Sequence, residues 1–133
     1  MGTVQQYFTG LLYFHLLGTI AAGDGKWKVV APLDGEIIGF GGYIKTLGSG
    51  AGTGTDIQLR NETRSPEKDY FSSSLKPTFD VDAATNILQD GTLVANPTFR
   101  AGDILCLDVD SVSTNPGDAD IWIVCSFTRE VSL

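Results

Sequence analysis

The chain is 133 residues long, the size of one domain, with 42% hydrophobic and 19% charged residues. Its net charge of −7 supplies no basic surface to neutralise phosphates, which excludes nucleic acid as a partner. The apolar run from Tyr7 to Ile20 is too short to cross a bilayer as a helix, and the first basic residue, Lys26, follows it rather than precedes it. The chain therefore reads as made and assembled in a cytoplasm, with no membrane partner.

The opening run is apolar on both alternating faces: Tyr7, Leu11, Tyr13 and Leu17 on one, Phe8, Leu12, Phe14 and Leu16 on the other. Aromatic enrichment and the internal Gly10 and Gly18 favour a strand over a helix. Such a strand is covered either by a partner subunit on one face or by its own sandwich on both. Residues 1–28 are thus expected to form an apolar contact segment ahead of a β-domain at 29–133.

A short strand is expected from Trp27 to Ala31, then a turn at Pro32 to Gly35, where proline presets φ and glycine accepts a positive one. Glu36 to Leu47 alternates loosely, with internal glycines that mark bulges or close backbone approach. Gly48 to Thr55 lacks the Gly-Lys-Ser/Thr ending and the following helix of a phosphate loop, so it reads as a surface loop. Asp56 to Asn61 is a strand with Ile57 and Leu59 inward, and Glu62 to Ser74 a long polar loop. Ala83 to Asp90 is a helical turn or a loop, and Thr92 to Ala95 a short strand. Ala101 to Asp110 and Ile121 to Phe127 are two more strands, expected to pair as a hairpin around residues 113–118. About eight short strands with Gly/Pro punctuation predict an all-β, single-domain antiparallel β-sandwich or jelly roll.

Matching the apolar faces of the last two strands places Cys125 inward, and Cys106 and Asp108 outward, with two free thiols. One histidine, His15, inside the most apolar segment makes no triad, and two separated cysteines with one histidine do not supply a zinc site. The pairs Asp80/Asp82, Asp108/Asp110 and Asp118/Asp120 lack the Asp-x-Asp-x-Asp-Gly loop of a calcium site and read as solvent-facing acids. No catalytic, cofactor-binding or metal-ligating residue is assigned, and no enzyme activity is expected. Tyr70 and Phe71, in the polar loop, are placed as surface contacts. Trp122 lies on the more polar face of its strand, either open to a sugar or protein or covered by another strand.

The order of Val30 to Ile37 (Val-Ala-Pro-Leu-Asp-Gly-Glu-Ile), Gly50 to Ile57, Asn96 to Leu105 and Leu107 to Asp110 resembles a bacteriophage virion β-sandwich, over about residues 29 to 128. The resemblance implies a capsid decoration (cement) protein that binds the major capsid protein at the virion surface, as a homo-oligomer, expected to be a trimer. Tail or head fibre modules and receptor- or glycan-binding modules of similar fold are the alternative it implies. Tyr7, Phe8, Leu11, Leu12, Tyr13, Phe14 and Leu16 are then the expected contact strip.

Overall fold

The computed structural model describes residues 2–133. Nine strands follow in chain order: β1 (Thr3–Thr19), β2 (Gly23–Val30), β3 (Asp34–Thr46), β4 (Gly54–Asn61), β5 (Lys68–Asp69), β6 (Thr78–Asp80), β7 (Thr98–Phe99), β8 (Ile104–Ser111) and β9 (Gly117–Ser132). They form two antiparallel sheets. One runs β1-β9-β3-β7, the other β2-β8-β4-β5, with β6 also paired to β4. The fold is an all-β sandwich, as the turn-punctuated strands predict. The only helical turn among the described residues is a single 3-10 turn at Val81–Ala83.

Period-two alternation builds the core. Phe14, Leu16, Ile37, Ile44, Ile121 and Ile123 point inward from the first sheet, and Ile57, Leu59, Leu105, Leu107 and Val109 meet them from the second. β1 is integral to this core, pairing with β9 from Thr3↔Ser132 to Leu16↔Ala119. The division expected at residue 28 therefore falls inside β2 and separates nothing. Leu12, Phe14 and Leu16, expected in a contact strip, are buried in their own chain instead.

The last two strands differ from expectation in an instructive way. Cys125 does face inward and Cys106 does lie on the opposite side of its strand from Leu105 and Leu107, and both thiols are free. Yet β8 and β9 belong to different sheets and face each other across the core, so no hairpin joins them. Ser49 pairs with Thr114, and the Ser113 hydroxyl donates to the Leu47 carbonyl at 2.8 Å, which carries the chain from one sheet to the other. Cys106 and Asp108 are also buried, because charged side chains of β2 and β4 lie over them. Arg60 donates to Asp108 at 2.8 and 3.2 Å, and the Gly25 amide donates to it at 2.7 Å.

Gly35, expected in a turn, lies instead in β3, paired with Phe99 and Phe127, and its φ is not positive. It is glycine for space: a Cβ there would lie 2.6 Å from the Phe99 ring and 2.9 Å from the Ser126 carbonyl. The strand expected at Thr92 to Ala95 shrinks to one bridge, Phe71↔Leu93.

Candidate docking face

The outer surface of the β1-β9-β3-β7 sheet gathers six exposed large apolar residues: Tyr7, Leu11, Tyr13, Leu17, Ile38 and Tyr43. Odd-numbered residues of β1 point out, and the register sets Leu11 beside Val124, Tyr13 beside Trp122 and His15 beside Asp120. On the other flank of β9, Val124 adjoins Gly39, Trp122 adjoins Gly41 and Asp120 adjoins Tyr43. Leu11 is 58% exposed, Tyr13 55%, Leu17 78% and Ile38 54%. The extra residue responsible for that last value is a bulge between Ile37 and Gly39, which turns Ile37 into the core and leaves Ile38 outside.

Two devices shape this face. Gly41 makes room for the Trp122 indole, since a Cβ there would lie 2.3 Å from its Nε1. The ring thus lies across β3 rather than standing clear of the sheet, and it is half-buried. The second device is a shared acceptor. The Tyr13 hydroxyl donates to Asp120 Oδ1, and His15 Nδ1 meets the same oxygen at 2.6 Å. These bonds, the Tyr13 one first, hold the Asp120 carboxyl below the usual carboxylate range, and the Tyr13 phenol is raised in return. The acid in the middle of the face is thereby tied to its neighbours through one oxygen.

Of the expected contact strip, Tyr7, Leu11 and Tyr13 lie on this face. Phe8 points the other way and packs on Phe127 at the end of the sandwich, with ring centroids 5.7 Å apart and Arg129 over it. Tyr70 and Phe71 are a correction: both are buried. The Tyr70 hydroxyl donates to the Thr98 carbonyl at 2.8 Å and accepts from Asn61 at 3.1 Å, and burial pushes its phenol up. Phe71 meets Phe40 edge-on at 4.9 Å. Ile38 and Tyr43 were missed by the sequence reading.

The acidic pairs are spent locally. Asp80 caps the 3-10 turn through the Asp82 amide at 2.9 Å, Asp82 accepts from the Gly52 amide at 2.8 Å, and Asp118 accepts from the Gly18 amide at 2.6 Å. Asp110 pairs with Lys76 at 2.8 Å. Among the described residues no group of three or more His, Cys, Asp or Glu is placed to hold a metal ion. A depression lined by Arg64, Lys68 and Arg100 lies at the loop end, where Arg64 and Lys68 donate to the carbonyls of Thr98 and Asn96. Those two cations close the loop onto the sandwich.

No family model matches the chain, and neither a curated protein nor a solved structure matches it.

Proposed function

We propose that this chain is a virion structural protein of the capsid decoration type, which binds the major capsid protein on the outer surface of a phage head assembled in the host cytoplasm. The observation that carries the reading is the apolar outer face made by Leu11, Tyr13, Leu17, Ile38, Tyr43 and Trp122. Single exposed apolar residues are ordinary, but a contiguous patch of this kind marks a surface that another protein covers. A standard contact buries roughly 800 Å2 per partner and must offset an association cost of about 4–15 kcal/mol. A sheet face whose central carboxylate already accepts two bonds on Oδ1 suits that task, because part of its desolvation is offset within the chain.

The proposal is tested by sedimenting the purified protein with purified shells and following shell melting. Saturable binding that raises the shell melting temperature supports it. Recovery of all the protein in the supernatant sinks it.

A glycan- or receptor-binding module remains as a second reading on one observation. Trp122 and Tyr13 lie side by side and present ring surface on which a sugar can stack. Binding to a glycan array that is lost in Trp122→Ala, with no binding to shells, would favour it.

A further inference from the structure

The open edge of β1 is a separate surface from its outward side chains. β1 ends its sheet and pairs with β9 alone. The Leu133 amide donates to the Gly2 carbonyl at 3.0 Å, which fixes the parity of the ladder. Even-numbered residues of β1 exchange hydrogen bonds with β9 in constant register as far as Leu16. The odd-numbered residues from Thr3 to His15 therefore turn their N–H and C=O groups to the free edge.

Native sheets blunt their edges with short strands, lysines and bulges. Three edges here follow that rule. β5 and β7 are two residues each, and β2 carries Lys26, Lys28 and a register break between Gly23 and Trp27. β1 does not follow it. Its 17 residues include no Lys, Arg, Asp, Glu or Pro, and its register is broken only beyond Leu16.

We propose that two copies of this chain pair antiparallel along β1, edge to edge, about a two-fold axis at Thr9, joining two four-stranded sheets into one of eight strands. The strand is complementary to itself in this register. Thr9 faces Thr9 of the second copy, Tyr7 faces Leu11, Gln5 faces Tyr13 and Thr3 faces His15. Aromatic–aliphatic and Thr–Thr pairs are favourable across strands, and no like charges are opposed. The axis uses every regular position of the free edge, and both copies meet through the same patch. An edge paired in this way is consumed by a single partner, so the assembly closes at two rather than at the three expected from the resemblance. The outer apolar face becomes continuous across both copies.

The test uses the isolated full-length protein, so its outcome is independent of shell binding. Light scattering after size exclusion should give a dimer. Thr9 is exposed, and the two native cysteines are buried. Directly hydrogen-bonded partners in antiparallel strands have Cα atoms about 5.5 Å apart, within disulfide reach. Thr9→Cys should then form a covalent dimer under oxidised glutathione, while Ser74→Cys, on an exposed loop, should not. Thr9→Lys sets two like charges opposite each other and should weaken dimerisation about tenfold or more, with folding unchanged by circular dichroism. A wild-type monomer at roughly 100 μM, a trimer, a dimer indifferent to Thr9→Lys, or cross-linking no faster than in Ser74→Cys would each overturn the pairing.

Discussion

Gln58 of β4 takes the place of a strand partner for Phe71. Its Nε2 donates to the Phe71 carbonyl at 2.9 Å, and its Oε1 accepts from the Phe71 amide at 2.9 Å and the Leu59 amide at 3.0 Å. The side chain is buried, so Gln58→Leu leaves buried backbone groups unpaired and should cost about 2–4 kcal/mol, read from the urea midpoint. This clamp explains why the aromatic pair at 70–71 misleads a sequence reader. Flanking polar residues place Tyr70 and Phe71 in a surface loop, but Gln58 and Asn61 draw them into the core through bonds that composition does not reveal. The cysteines behave as packed apolar groups for a related reason. Burial pushes the Cys125 thiol up to about 12, and burial with the Glu62 carboxylate pushes Cys106 up to about 11. Both should resist thiol reagents at pH 8 until the protein unfolds, which a time course of reagent uptake with and without urea will read.

At the scale of elements, β1 and β3 carry the outer face by opposite means. β1 supplies large side chains, whereas β3 supplies glycines that let a neighbour's side chain lie down. Gly41→Ala should push the Trp122 indole off β3, shift its fluorescence toward that of a more exposed ring, and cost about 1–3 kcal/mol. The sequence made the inward half of this legible, because period two fixes which residues share a face. It left the outward half open for β1, because alternation says nothing about whether a second layer covers the other side. The same limit produced the expected hairpin between β8 and β9. Two strands facing each other across a core and two strands side by side in one sheet show the same alternation. The ladders distinguish them: β8 pairs with β2 and β4, and β9 with β1 and β3.

For the molecule as a whole, the turn-punctuated strands and one-domain length were enough to specify a sandwich, and burial of Leu12, Phe14 and Leu16 shows that it includes the N-terminal segment. The polar bonds set its behaviour in acid. Asp120 is held below the ordinary carboxylate range in the folded state, by Tyr13 first and His15 second. A depressed folded value means that the associated stability is fully present above the unfolded-state value of about 4 and is lost as pH falls through the folded one. Melting temperature should thus decline below about pH 4, and Asp120→Asn should show a shallower decline over the same range. That variant keeps every core side chain, so a difference in slope reports on the outer face rather than on packing.

Docking is proposed to run through the outer face of the first sheet. Leu11→Glu with Ile38→Glu tests it most directly, because both side chains are exposed and neither belongs to the core. Cosedimentation of this double variant with purified shells, beside the wild type, is the measurement. Docking through this face requires an unchanged fold and at least about a hundredfold loss of shell affinity, since two charges would be buried against apolar surface. Wild-type affinity in the folded double variant would contradict it.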